Sequence, residues 1–183
     1  MENTFIFAGF GGQGVILAGK LLAQAGTDYG LNVTWLPSYG PEMRGGTANC
    51  TIVLSDEAIG SPVVDTPTGL IAMNLPSLDR FEKAVSAAGT IVVNSSLVTR
   101  RVARDDVQEI ALPLNDMAAS LGNPRAANMV ALGALVGATS AVPLDAVQGA
   151  LTTMLGHKAS SELIEVNKRS LEAGFKAVQN RVH

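Results

Sequence analysis

"TFIFAGFGGQGVILAGK", residues 4–20, governs how the rest of this chain is read. A short apolar run with strand-favouring residues, "TFIFAG", ends in glycine and reads as a buried strand. Gly9, Gly11, Gly12 and Gly14 then crowd into six positions. From Val15 to Tyr29 apolar residues recur at helical spacing (Ile16, Leu17, Leu21, Ala25), and Gly30 closes that helix. Gly9, Gly11 and Gly14 satisfy G-x-G-x-x-G between strand and helix. In that pattern Gly9 permits a tight turn, Gly11 lets backbone approach a phosphate, and Gly14 allows close helix–strand packing. The N–H groups at the helix start favour an anion, and Gln13 adds an amide.

Beyond the loop, "NVTWLP" (32–37) reads as a second strand, giving a β-α-β unit with a right-handed crossover. Dinucleotide sites place an Asp or Glu at the end of that second strand to hold the ribose hydroxyls. Here Trp35-Leu36-Pro37-Ser38-Tyr39 carries no carboxylate; Asp28 comes too early, and Glu42 lies inside the next loop. A free NAD or FAD site is therefore disfavoured, and a stand-alone nucleotide-binding module remains as the alternative.

That next loop, "SYGPEMRGG" (38–46), gathers Tyr39, Glu42, Arg44 and Gly45 at the C-terminal end of a strand, where ligands collect in parallel sheets. The planar fork of Arg44 suits a phosphate or a carboxylate. Pairing of Arg44 with Glu42, with the glycines merely turning the chain, is the structural alternative. "TANCTIVLS" (47–55) alternates as a strand, placing Cys50 on its apolar face, where a buried inert thiol is expected. "GLIAMN" (69–74), "TIVVNSS" (90–96) and "VQEIALP" (107–113) read as further strands. A helix is expected over 75–89, with Ser77 a candidate cap, Pro76 leaving the start open and Gly89 ending it, and a short one over 116–122. Helices then follow over 124–141, 143–155 and 160–180, the last with Leu163, Val166, Leu171, Phe175 and Val178 on one stripe. Asn128 opens an apolar helix and could bond to a neighbouring loop. The expectation is one domain over residues 1–183: α/β, three-layer and Rossmann-like, with a mostly parallel sheet and a helical C-terminal segment.

Composition narrows the function. Of 183 residues, 47% are hydrophobic and 16% charged, which suggests surface covered by partners. A net charge of −3 without a long basic run argues against nucleic acid. No ~20-residue apolar stretch and no signal-peptide pattern is present, so no membrane role and a cytoplasmic location are expected. One cysteine and two histidines cannot furnish the four thiolates of an iron–sulfur cluster, so no metal is expected on this chain alone.

"AGFGGQGVILAGKLLAQAG" followed by "WLPSYGPEMRGGTANCTIVLSDEAIGSP" resembles the gamma subunit of 2-oxoacid:ferredoxin oxidoreductases, of the pyruvate/ketoisovalerate oxidoreductase family. The resemblance continues in "NPRAANMVALGAL" (123–135). It implies a non-catalytic subunit of an oxidoreductase complex that forms acyl-CoA, CO2 and reduced ferredoxin from a 2-oxoacid. It further implies alpha, beta and in some complexes delta partners, with thiamine diphosphate, magnesium and iron–sulfur clusters residing in them, and contact with ferredoxin through the complex. Coenzyme A at a shared site would be met by Gly9, Gly11, Gly12, Gln13 and Gly14, with Tyr39, Glu42, Arg44 and Gly45 lining the adjoining interface. Coenzyme A carries a diphosphate and needs no acidic ribose clamp, in keeping with the missing carboxylate. "MRGGTANC" is more similar to the 2-oxoglutarate and branched-chain types than to the pyruvate type; the indolepyruvate type also shares the glycine loop.

Overall fold

The computed structural model describes residues 1–40, 46–156 and 158–180. Strand β1 (Glu2–Phe10) leads through the glycine loop into helix α1 (Val15–Asp28). Strands β2 (Asn32–Tyr39), β3 (Thr47–Ser55) and β4 (Gly69–Ala72) follow, then α2 (Leu75–Phe81) with a 3-10 turn, Glu82–Ala84. Next come β5 (Thr90–Asn94), β6 (Gln108–Leu112) and α3 (Leu114–Ser120). The chain ends in α4 (Ala127–Thr139), α5 (Leu144–Leu155) and α6 (Ser161–Gln179).

The strands form one sheet in the order β2-β3-β1-β4-β5-β6. β1, β4, β5 and β6 run parallel, as expected of a mostly parallel α/β sheet. The β-α-β expectation needs one correction: β1 and β2 are not neighbours, because β3 lies between them and pairs antiparallel with both. The cause is connection length. The short loop after β2 can return the chain only as a hairpin, since a parallel pairing needs a crossover of about a dozen residues or more.

Alternation along the strands divides the core. Phe5, Phe7, Cys50, Ile52, Ile71 and Val92 face α1 and α4, whereas Ile6, Ala8, Leu70, Ala72, Ile91 and Val93 face Leu78 of α2 with Val85, Val98 and Val102. α4 is buried from Ala127 to Gly137, between the sheet and α6, as its near-uniform apolar sequence requires. Two glycines permit the α4–α6 approach: a Cβ on Gly133 would run into the Leu171 carbonyl, and one on Gly174 into the Val130 carbonyl.

Three local expectations shift. Asn74, not Ser77, caps α2: its Oδ1 accepts from Ser77 N at 3.0 Å, and Pro76 fits the first turn, where no N–H is needed. The helix expected over 75–89 is cut to one short helix plus the 3-10 turn. On α6 the buried residue of the first turn is Ile164 (8% exposed), while Leu163 is 42% exposed. The stripe runs through Ile164, Val166, Leu171 and Val178, with the small Ser170 and Gly174 buried on the same side.

A candidate glycine-loop site at the C-terminal edge of the sheet

β1 delivers its last residues to the edge where β4 and β5 also end, and the loop Gly11–Gly14 turns the chain into α1. Gly12 (φ 96°) and Gly14 (φ 73°) occupy the left-handed region, which glycine enters without steric cost. Gly14 is the N-cap of α1 and supplies no side-chain cap, and the first turn holds no acidic residue. The first-turn N–H groups of α1 have no intrahelical partners, and the positive end of the helix dipole lies with them. This arrangement suits a phosphate.

The glycines divide their work differently from the expected pattern. A Cβ on Gly9 would sit 2.7 Å from Gln13 Oε1 and 3.1 Å from Val15 Cγ1, so Gly9 provides the close packing of strand, loop and helix. Gly11 N–H donates to the Gly46 carbonyl at 2.8 Å, carrying the β1–β3 pairing one step further. A Cβ on Gly14 would collide with the Asn128 side chain, whose Nδ2 donates to the Gly14 carbonyl at 3.0 Å. Asn128 thus makes the loop contact expected of it, from the start of α4.

Gln13 turns inward. Its Oε1 accepts from Phe10 N at 2.7 Å and from Asn74 Nδ2 at 2.9 Å, and its Nε2 donates to the Met73 carbonyl at 3.3 Å. Tyr39 closes β2 and is 66% exposed, opposite Ala48. Glu42, Arg44 and Gly45 lie outside the described residues. The two motifs nevertheless meet: Gly46 bonds to Gly11, and Gly40 N–H donates to the Thr47 carbonyl at 2.8 Å, so the described flanks of the second loop stand beside the first.

Asn74, two residues beyond β4, and Asn94, the last residue of β5, belong to the same edge and were not singled out from the sequence. The signal was there: "GLIAMN" and "TIVVN" both end an apolar run on asparagine, a residue that caps helices and turns. Cys50 takes no part. Burial pushes its thiol up to about 12, partly offset by the Trp35 indole, and Sγ lies 3.5 Å from the Val15 carbonyl. The thiol stays protonated at neutral pH, as expected of an inert one. Among the described residues no group of His, Cys, Asp or Glu could hold a metal ion, and no helix is long and apolar enough to cross a membrane.

Residues 4–177 match the pyruvate ferredoxin/flavodoxin oxidoreductase family. The chain belongs to this family. The ketoisovalerate oxidoreductase subunit VorA of Methanothermobacter thermautotrophicus is 41% identical over 167 residues, covering 91% of this chain and 34% of VorA. The chain thus spans about a third of that relative's length. The 2-oxoglutarate synthase subunit KorC of Methanothermobacter marburgensis is 39% identical, with 82% of this chain and 85% of KorC covered. The keto/oxoacid ferredoxin oxidoreductase gamma subunit of Geobacter sulfurreducens PCA superposes with a TM-score of 0.82 at 30% identity, over 97% of this chain and 99% of that one. The 2-oxoglutarate:ferredoxin oxidoreductase of Magnetococcus marinus shares the fold, with a TM-score of 0.87 at 22% identity, over 98% of this chain and 31% of that one. The family resemblance of the two motifs is borne out, and so is the α/β fold.

Proposed function

We propose that residues 1–183 act as one gamma-type domain of a thiamine diphosphate-dependent 2-oxoacid:ferredoxin oxidoreductase. The complex would convert a 2-oxoacid and coenzyme A to an acyl-CoA and CO2, passing the electron pair to ferredoxin. Thiamine diphosphate, magnesium and the iron–sulfur clusters belong to the alpha and beta partners, or to a delta partner. One buried cysteine cannot supply a cluster's thiolates. The substrate class is a 2-oxoglutarate or branched-chain 2-oxoacid, supported by VorA and KorC at 41% and 39% identity against 28% for the pyruvate synthase subunit PorC of Thermotoga maritima. A cytoplasmic location goes with this reading.

The observation that carries the reading is the uncapped start of α1 beside the flank of the 38–46 loop, joined by the Gly11–Gly46 bond. Backbone N–H groups there suit the diphosphate of coenzyme A, and Tyr39, Glu42, Arg44 and Gly45 supply the adjoining wall of a site completed by the partners. The chain's part is to bind and orient coenzyme A so that its thiol meets the acyl group. Anaerobic co-purification tests the assembly: stable capture of thiamine-binding and cluster-binding partners is expected, and a chain that never associates with them refutes it. Titration with NAD and coenzyme A addresses the alternative, since clear NAD affinity of the chain alone would favour a stand-alone nucleotide module.

A further inference from the structure

The side chain of Gln13 offers two N–H donors and two acceptor lone pairs. Three of these capacities are spent within the protein, on Phe10 N, Asn74 Nδ2 and the Met73 carbonyl. The Met73 carbonyl receives a second donor, Asn94 Nδ2, at 3.2 Å. Asn94 is fully buried, and the same Nδ2 reaches Asn115 Oδ1 at 2.7 Å. One carbonyl at the end of β4 therefore joins the glycine loop, the start of α2, the end of β5 and α3.

The geometry points to Gln13 as a positioning residue: with Asn94 on the shared Met73 carbonyl, it fixes the glycine loop in the shape that receives the diphosphate. The inference rests on the coenzyme A reading above for its functional consequence, though not for its structural one. A carboxamide aimed at a ligand would leave Gln13 pointing outward, whereas here Oε1 reaches back to Phe10 N and closes the loop on itself. Gly9 leaves room for that inward turn, since a Cβ there would meet Oε1 at 2.7 Å. Asn94, having no exposed surface, cannot touch a bound ligand itself and acts through its partners: the Met73 carbonyl shared with the loop, Asn115, and Ser96 N, which donates to its Oδ1 at 3.3 Å.

That burial makes the distinction measurable. Gln13→Met keeps the length of the side chain and loses its bonds; Asn94→Ala removes the other donor on Met73; Asn115→Ala removes a bond of Asn94 without touching that carbonyl. Amide hydrogen exchange on the 183-residue chain is read first. Gln13→Met and Asn94→Ala should each speed exchange in residues 11–16 by about tenfold, with Asn115→Ala leaving it near the wild-type rate. In the assembled complex both should raise the KM for coenzyme A by a similar factor, about three- to tenfold, with a smaller fall in kcat. The double variant should cost no more than either single, because both act through one loop.

Unchanged loop exchange in Gln13→Met overturns the proposal, and that variant carries the test alone if Asn94→Ala does not fold. A raised KM in Gln13→Met with a normal KM in Asn94→Ala also overturns it, because Gln13 would then touch the ligand directly. Faster exchange in both variants with an unmoved KM supports the loop-fixing role and refutes the coenzyme A reading instead.

Discussion

Replacing Gly14 by alanine loads two separate penalties on one position. At φ 73° a Cβ carries the left-handed steric cost, about 1–2 kcal/mol. The new methyl also enters the space of Asn128 Nδ2, which donates to the Gly14 carbonyl. Either that hydrogen bond breaks, costing about 1 kcal/mol, or the start of α4 shifts at an overpacking cost of about 1–3 kcal/mol. Gly12→Ala is the internal control: φ is 96°, yet a Cβ there meets nothing within 4 Å. Urea unfolding should place Gly12→Ala about 1–2 kcal/mol below wild type, on strain alone. Gly14→Ala should fall further, about 2–5 kcal/mol below, on strain plus collision or the lost hydrogen bond. Gly14→Ala combined with Asn128→Gly should recover part of the difference by removing the colliding side chain. Equal destabilisation by the two single alanines would refute the assignment of Asn128 as the obstacle.

Gly133→Ala or Gly174→Ala, each aimed at a backbone carbonyl of the facing helix, should cost at least about 3 kcal/mol in the same assay or abolish folding. Arg100→Met should lower stability by about 2 kcal/mol, because it leaves the buried Glu82 carboxylate with the Ala103 amide but without its guanidinium partner. Cys50 should resist iodoacetamide in the native chain at pH 8 and react on unfolding, as its thiol is pushed up to about 12 by burial. The unfolded thiol titrates lower, so the unfolded state loses its proton first. Stability from this group is full below the unfolded pKa and declines as pH rises toward 12, by at most about 1.4 kcal/mol per pH unit. Cys50→Ala should flatten that decline.

The glycine loop, the strands flanking it and α1 were legible in the sequence because one short segment holds an apolar run, its punctuation and a helical period together. Asn128 was also within reach, since a polar residue opening an apolar helix must find a partner. The place of β3 was not: alternation shows that Thr47–Ser55 is a strand, but strand order depends on which edges remain free in the folded sheet. Leu163 and Ile164 show the same limit, because adjacent apolar residues satisfy nearly the same helical stripe and only the surface that α6 packs on decides between them. The inward turn of Gln13 depends on Asn74 and Met73, some sixty residues away, and no local pattern records it.

The β2–β3 hairpin stands outside the parallel strands and is clamped on both sides of its turn, by Gly40 to Thr47 and by Gly46 to Gly11. Those anchors are backbone bonds and draw on no side chain. The glycine loop is thereby tied by main chain to an antiparallel pair, so that fraying β3 at its first residues would also release the loop at Gly11.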